Sequence, residues 1–226
     1  MPTTRSYGDG CPIARALDVI GERWALLVVR ELLLGAQRFS DLRRALPGAS
    51  TNMLTDRLRE LEARGVVRRR TLPPPAASSV YELTERGHDL EPVLDAIGSW
   101  GSAEPRPELS SLTATSVLLF LRGSARAQTN PPTETYRVQL DDRVWTICTL
   151  DGQVEIQPRE AAAPDASLHA SPDTLNALLH SPAGLDAAIT AGSVRADGDL
   201  TALRRLLQVA TQPPHLGMHR TPAQPS

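Results

Sequence analysis

Between residues 39 and 72 the spacing of apolar residues switches from helical to alternating, and few folds accommodate the order of elements that results. Phe39, Leu42 and Leu46 give a short helix over Ser40–Leu46 its inward contacts, with Ser40 expected as its cap. Pro47-Gly48-Ala49 reads as a turn. Ser50 is a good N-cap for a second helix that runs to Arg64, where Leu54, Leu58 and Leu61 fall at i, i+4 and i+7. After Gly65 a strand follows over Val66–Leu72, and Ser79–Leu83 is its partner across an exposed, proline-rich connection, Pro73 to Ser78. Two short amphipathic helices need something to pack on. A helix from about Glu22 to Leu34, apolar on nearly all sides, supplies that core, and Ile13, Ala16, Leu17 and Ile20 place another helix before Gly21.

Rotation by about 100° per residue puts Asn52, Asp56, Arg59 and Ala63 opposite the leucines of the second helix, with Thr55 beside them. Those polar side chains are the ones able to enter a major groove. Asn52 suits adenine and Arg59 suits guanine, both bidentately, while Asp56 is expected to pair with Arg59 at i+3 rather than face phosphate alone. The free N–H groups near Ser50, Thr51 and Asn52 offer a phosphate contact at the positive end of the helix dipole. Strand alternation puts Arg68 and Arg70 on one side of the wing and Arg69 on the other. The whole chain has a formal net charge of -2, but residues 38 to 70 hold nine arginines (Arg38 and Arg43 among them) against Asp41, Asp56, Glu60 and Glu62, a local balance of 9 - 4 = +5. Helix, turn, helix and basic hairpin in this order are the form of a winged helix-turn-helix, and the partner expected is double-stranded DNA.

Composition narrows the remaining classes. With 41% hydrophobic and 22% charged residues, a 226-residue chain is expected to form one or two ordinary globular domains. Nothing resembles a signal peptide, and runs such as Ala25–Val29 and Val117–Leu121 fall far short of the roughly 20 apolar residues that cross a bilayer, so no membrane association and a cytoplasmic location are expected. Two cysteines, Cys11 and Cys148, far apart in sequence, suggest neither a disulfide framework nor a metal site, and no cofactor is expected. His169, His180 and Asp165 are the candidates for acid-base work, and no nucleophile elbow or metal-ligand spacing accompanies them; no enzyme is expected.

Six segments together closely resemble the HxlR-type winged-helix regulators: Cys11-Pro12-Ile13, Ile20-Gly21-Glu22-Arg23-Trp24, Leu33 to Leu42, Leu54 to Glu62, Tyr81 to Gly87 and Trp100-Gly101. The resemblance covers residues 1–101. It implies a homodimer paired through the N-terminal helix and a helix from Thr84 to Trp100, reading an inverted-repeat operator with half-sites about 34 to 36 Å apart. Asn52 stands where family members often carry lysine, and Ala76-Ala77-Ser78 replaces the usual basic wing tip, so base preference and wing contacts do not transfer. Cys11 occupies the position at which several regulators of this type sense oxidants or electrophiles, with Arg15 one turn away; the alternative is a small residue packed at the dimer interface. Cys148 lies in an apolar strand pattern and reads as inert core.

Prolines at 105 and 107 mark a linker over residues 102–109. Beyond it come a helix (Ser110–Leu121), strands (Thr135–Leu140, Val144–Thr149, Gln153–Gln157, Ala166–Ala170), helices (Pro172–Leu179, Ala183–Ala191), a short strand (Ser193–Asp197) and a last amphipathic helix (Asp199–Val209), with a disordered tail over 211–226. This order, with Pro164 to Leu168, Ala191 to Asp199 and Leu203 to Leu206, resembles the sterol-carrier-protein type of α/β domain over residues 110–210. The expected fold class is therefore mixed α and α+β, a winged helix-turn-helix followed by a sterol-carrier-protein-like domain. The second resemblance implies an apolar pocket for a small apolar or amphipathic effector, for which Phe120, Trp145, Ile147, Ile156, Leu175, Leu178, Leu179 and Ile189 are candidates, although each reads first as ordinary core. A dimeric regulator, more often repressing than activating, is the reading these features favour. A thiol sensor acting through Cys11 and a lipid carrier that borrows the winged helix for assembly are the alternatives.

Overall fold

The computed structural model describes residues 6–74, 78–105, 107, 110–125, 133–150 and 153–208. The chain divides into two compact units, Met1–Gly98 and Ser99–Ser226. The division falls inside a helix rather than in the expected linker, part of which lies outside the described residues, as does the expected tail.

The first unit contains α1 (Pro12–Ile20), α2 (Ala25–Leu32), α3 (Phe39–Ala45), α4 (Thr51–Ala63), β1 (Val67–Thr71), β2 (Ser79–Leu83), α5 (Glu85–His88) and most of α6 (Glu91–Gly101), whose last three residues fall beyond the division. Val28, Val29 and Leu32 of α2 are buried with Leu42, Leu46, Leu54, Leu58, Leu61, Val66, Val67, Val80 and Leu83. Helix α2 is shorter than its composition suggests, because Trp24 sits in the left-handed region at φ 77° and the helix begins only after it. Helix α3 starts one residue early. The Asp41 carboxylate accepts the Arg38 N–H at 3.3 Å, so Arg38 and not Ser40 is the capping position. The helix expected from Thr84 to Trp100 is two helices, since Pro92 has no N–H to give and its ring opposes the carbonyl of His88.

β1 and β2 are antiparallel, with Val67 opposite Leu83 and Arg68 opposite Glu82. Tyr81 also exchanges both backbone hydrogen bonds with Gln37 at 2.9 and 2.8 Å, which ties the hairpin to the segment ahead of α3. The wing tip, Pro75 to Ala77, lies outside the described residues. At the end of α4 the Val66 N–H returns to Leu61 and the Gly65 N–H to Glu62, a Schellman motif that needs Gly65 at φ +69°.

The second unit is a five-stranded sheet covered on one face by helices. Its elements are α7 (Ala114–Ala125), β3 (Glu134–Leu140), β4 (Arg143–Leu150), β5 (Gln153–Gln157), β6 (Ala166–Ala170), α8 (Pro172–His180), a 3-10 turn (Pro182–Gly184), α9 (Leu185–Thr190), β7 (Val194–Gly198) and α10 (Leu200–Gln208). Strand order is β5-β4-β3-β6-β7, with β3 and β6 parallel and every other pair antiparallel. Tyr136, Val138, Trp145, Ile147, Val154 and Leu168 alternate onto the face where Val117, Leu118, Leu121, Leu175, Leu179, Leu203 and Leu206 are buried. The chain from β5 to β6 crosses the opposite face. There Thr146 Oγ1 donates to the Arg159 carbonyl at 2.8 Å and Arg137 reaches Glu160 at 2.7 Å. The hairpin expected at Asp141-Asp142 is present, with Asp141 at φ 53°. Two helix starts differ from expectation. Thr113 Oγ1 accepts the Ser116 N–H at 3.1 Å, so α7 begins at Ala114 and not Ser110, while the 3-10 turn takes the first residues of the helix expected from Ala183.

Candidate nucleic-acid interface

The open side of α4 follows from how the helix starts and what it buries. Ser50 Oγ accepts the Met53 N–H at 3.3 Å, leaving the N–H groups of Thr51 and Asn52 without a helical partner. Leu54, Leu58 and Leu61 are fully buried, and Asn52, Asp56, Arg59 and Ala63 are exposed on the other side, as their spacing requires. The Thr55 hydroxyl donates to the Thr51 carbonyl at 2.8 Å, so only its lone pairs face outward. Asp56 and Arg59 stand 3.9 Å apart, both more than half exposed, a contact weak enough to leave the guanidinium free to extend. Met53, 41% exposed, shares this side of the helix and was not singled out by sequence; an apolar side chain there suits a thymine methyl.

The turn before α4 is seated on an aromatic ring. A Cβ on Gly48 would lie 2.7 Å from the Trp24 ring, and Arg23 covers that ring at 5.2 Å. The left-handed Trp24 thus sets how closely α3 and α4 approach one another.

The arginine block is less uniformly basic than its composition suggests. Arg57 is 8% exposed and faces Glu60 and, at 3.8 Å, Glu22. Counting about 100° per residue from Leu54 and Leu61 puts position 57 at the edge of the inward arc, a signal available in the sequence. Arg68 Nε lies 2.7 Å from Glu82 and Arg70 Nη2 3.0 Å from the same carboxylate, which the hydrogen bond from Arg70 above all holds below the usual carboxylate range, against burial and with help from Arg68. Arg69 points to the other side and donates to Ser79 Oγ at 3.1 Å. Arg38 and Arg43 are exposed and make no ion pair among the described residues.

Elsewhere in this unit α1 exposes Ile13 (72%) and Leu17, and α6, which buries none of its residues, exposes Val93, Ile97 and Trp100 (73%) at i, i+4 and i+7. Cys11 is exposed at the N-cap of α1, its N–H donated to the Asp9 carboxylate at 2.9 Å.

In the second unit Trp145, Ile147, Leu175, Leu178 and Leu179 are core residues, Ile156 is nearly so, and Phe120 and Ile189 are half-buried. Phe120 stacks on His180 at 5.4 Å, and His180 Nδ1 lies 2.8 Å from the Asn176 carbonyl. Asp165 accepts the Thr135 N–H at 2.7 Å and so starts the β3-β6 pairing. Cys148 is half-buried, 3.9 Å from Thr135 Oγ1. Among the described residues no cluster of three or more His, Cys, Asp or Glu is placed to hold a metal ion, and no helix is long and apolar enough to cross a membrane.

Residues 19–108 match the family model described as HxlR-like helix-turn-helix. An uncharacterized HTH-type transcriptional regulator of Bacillus subtilis, YvaP, is 42% identical over 98 residues, which span 43% of this chain and 91% of that protein. This chain belongs to the HxlR-like helix-turn-helix transcriptional regulators. A second relative, sll1512 of Synechocystis, is 43% identical over 95 residues, 42% of this chain and 70% of its own length. The solved structure of the redox regulator HypR in its oxidized form aligns over 43% of this chain and all of its own, at 37% identity and a TM-score of 0.41. Residues 118–211 of this HxlR-like regulator match a different model, the SCP-2 sterol transfer family, so the five-stranded unit is an SCP-2-type domain joined to a regulator of transcription. The HxlR-like family is one of regulators and not of enzymes.

Proposed function

We propose that this HxlR-like regulator is a homodimeric repressor that reads an inverted-repeat operator through α4 and releases it in response to a small apolar or amphipathic effector taken up by the SCP-2-type domain. The observation that carries the DNA reading is the exposed side of α4, where Asn52, Met53, Asp56 and Arg59 stand together ahead of a Ser50-capped N-terminus. Arg38, Arg43, Arg68 and Arg70 are assigned to phosphate, and Thr51 and Thr55 to the groove wall. Dimerisation is supported by the uncovered apolar residues of α1 and α6, which a second copy would bury. Effector binding is supported by the SCP-2 match. An effector releases DNA only if it prefers the non-binding arrangement, and a tenfold effect needs about 1.4 kcal/mol of such preference.

The deciding experiment titrates the full chain onto the DNA beside its own gene at several salt concentrations, with a scrambled duplex as control. Specific binding that weakens steeply with salt and is lost in Asn52→Ala with Arg59→Ala supports the reading. Equal affinity for both duplexes at low salt would overturn the assignment of that DNA as the operator, and absence of binding would favour a lipid carrier. Exposure of Cys11 at a helix start favours a second reading, a thiol response. In that case Cys11→Ser abolishes the effect of oxidants while basal DNA binding persists.

A further inference from the structure

A groove of about 450 Å³ opens behind the recognition helix, wholly within the first unit. One wall is the side of α1 that carries Arg15 and Val19; the other is made by Arg64 at the end of α4, Val66 before β1, and Arg86 and Leu90 on either side of the break after α5. Its size lies within the roughly 300 to 1,000 Å³ of small-molecule sites, and an apolar floor bordered by a few polar groups is the usual composition of such sites.

Its charge is one-sided. Arg15, Arg64 and Arg86 meet no carboxylate within ion-pair distance among the described residues. Asp18 is the acid of the lining, and the Tyr7 N–H at 2.9 Å, the Ser6 hydroxyl at 2.8 Å and, more weakly, the nearby Arg64 charge hold its carboxyl below the usual range, so the lining carries three arginines against one acid. Arg86 is held in place, because its Nη1 donates to the Arg64 carbonyl at 3.0 Å and leaves the rest of the fork unused. DNA does not account for these arginines. Arg64 lies twelve residues beyond Asn52, about 18 Å along the helix at 1.5 Å per residue, at the end away from the Ser50 cap. A dimer partner does not account for the groove either. Ile13 and Leu17 stand roughly 130° around α1 from the side that lines it.

We propose that this groove binds a small amphipathic carboxylate, its anion held by Arg64 and Arg86 with Arg15 at the mouth and its compact apolar body against Val66 and Leu90. Guanidinium forks pair bidentately with carboxylates, and the apolar floor favours an organic acid over an inorganic anion. The site is separate from the pocket proposed for the SCP-2-type domain, and it joins α1 to the residue that closes α4, to α5 and to Leu90 just ahead of α6, so a ligand here is placed to bias how those elements meet.

The test is calorimetric titration of the full chain with benzoate, benzamide and inorganic phosphate at low salt. Benzoate is expected to bind at least tenfold more tightly than its neutral amide or phosphate. Arg64→Gln and Arg86→Gln are expected to remove that preference, and Arg43→Gln, on the far side of the unit's basic block, to leave it intact. Arg15→Gln, which disturbs no hydrogen bond of the fold, serves if Arg86→Gln lowers the melting temperature. Equal binding of acid and amide, phosphate binding as tightly as benzoate, absence of benzoate binding, or a preference that survives the groove variants would each overturn the proposal; survival would move the acid to the SCP-2-type domain. Operator affinity measured alongside reports on the DNA reading independently.

Discussion

Glu82 accepts from both Arg68 and Arg70, so one carboxylate neutralises half the charge that the wing presents on that side. Glu82→Gln is expected to free the pair for phosphate and to steepen the dependence of log K on log salt by about 0.9 for each arginine that then touches DNA, read from titrations at several salt concentrations. The same pair has an acid limb. Because the folded carboxyl titrates below its ordinary value of 4.5, its contribution to stability is present above that value and is lost as pH falls through the depressed one. Melting temperatures of the native chain and of Glu82→Gln are therefore expected to converge as the pH falls below 4.5 and through the depressed value. Partnerships of this kind were legible once the hairpin register was assigned, since Arg68 lies directly opposite Glu82. The inward turn of Arg57 was legible too, from its place on the helical wheel. The left-handed Trp24 was not. Its ring packs against Gly48, more than twenty residues on, and no local preference of tryptophan foretells its positive φ.

Helix α6 is stabilised in isolation only weakly, because it buries none of its own residues. Its apolar positions 93, 97 and 100 need a cover, and a second copy of the same helix is the economical one. Trp100→Glu is expected to shift the protein to monomer in sedimentation velocity and to weaken operator binding at least tenfold, since a single half-site then bears the whole interaction. If the variant sedimented as a dimer, pairing through this face would be refuted. Element type was legible wherever the period was strong, in α4 and throughout the five-stranded sheet. Element ends were legible only where the capping hydroxyl stood directly before the periodic run, as Ser50 does. At α3 and α7 the chain had more than one eligible cap, and side-chain hydrogen bonds from Asp41 and Thr113 chose between them.

Each of the two units has its own core, and in each a glycine sits against backbone where a methyl group cannot fit. A Cβ on Gly87 would lie 2.2 Å from the Val66 carbonyl oxygen, and one on Gly198, already at φ +86°, 2.4 Å from that of Asp165. Calorimetry is expected to show two transitions, with Gly87→Ala lowering one and Gly198→Ala the other, each by about 2 kcal/mol or more. A single transition moved by both variants would show that the units unfold together. In the SCP-2-type domain the candidate pocket residues could not be separated from core by sequence, because an apolar side chain that lines a cavity and one that fills a core obey the same pattern of burial, and six of the eight are core residues.

The parallel strands β3 and β6 are joined only after the chain has crossed the sheet, and the outer edge of β6 is covered by β7, followed directly by α10, the last described elements of the chain. On the ribosome β6 therefore emerges with an open row of backbone donors and acceptors that nothing already synthesised can pair. That makes the C-terminal half a late and vulnerable folder, exposed to edge-to-edge association until β7 has been synthesised. A chain halted before Val194 is expected to partition into the insoluble fraction during expression, whereas one halted before Ala114, whose only described sheet is the β1–β2 hairpin it also has in the full chain, is expected to stay in the supernatant.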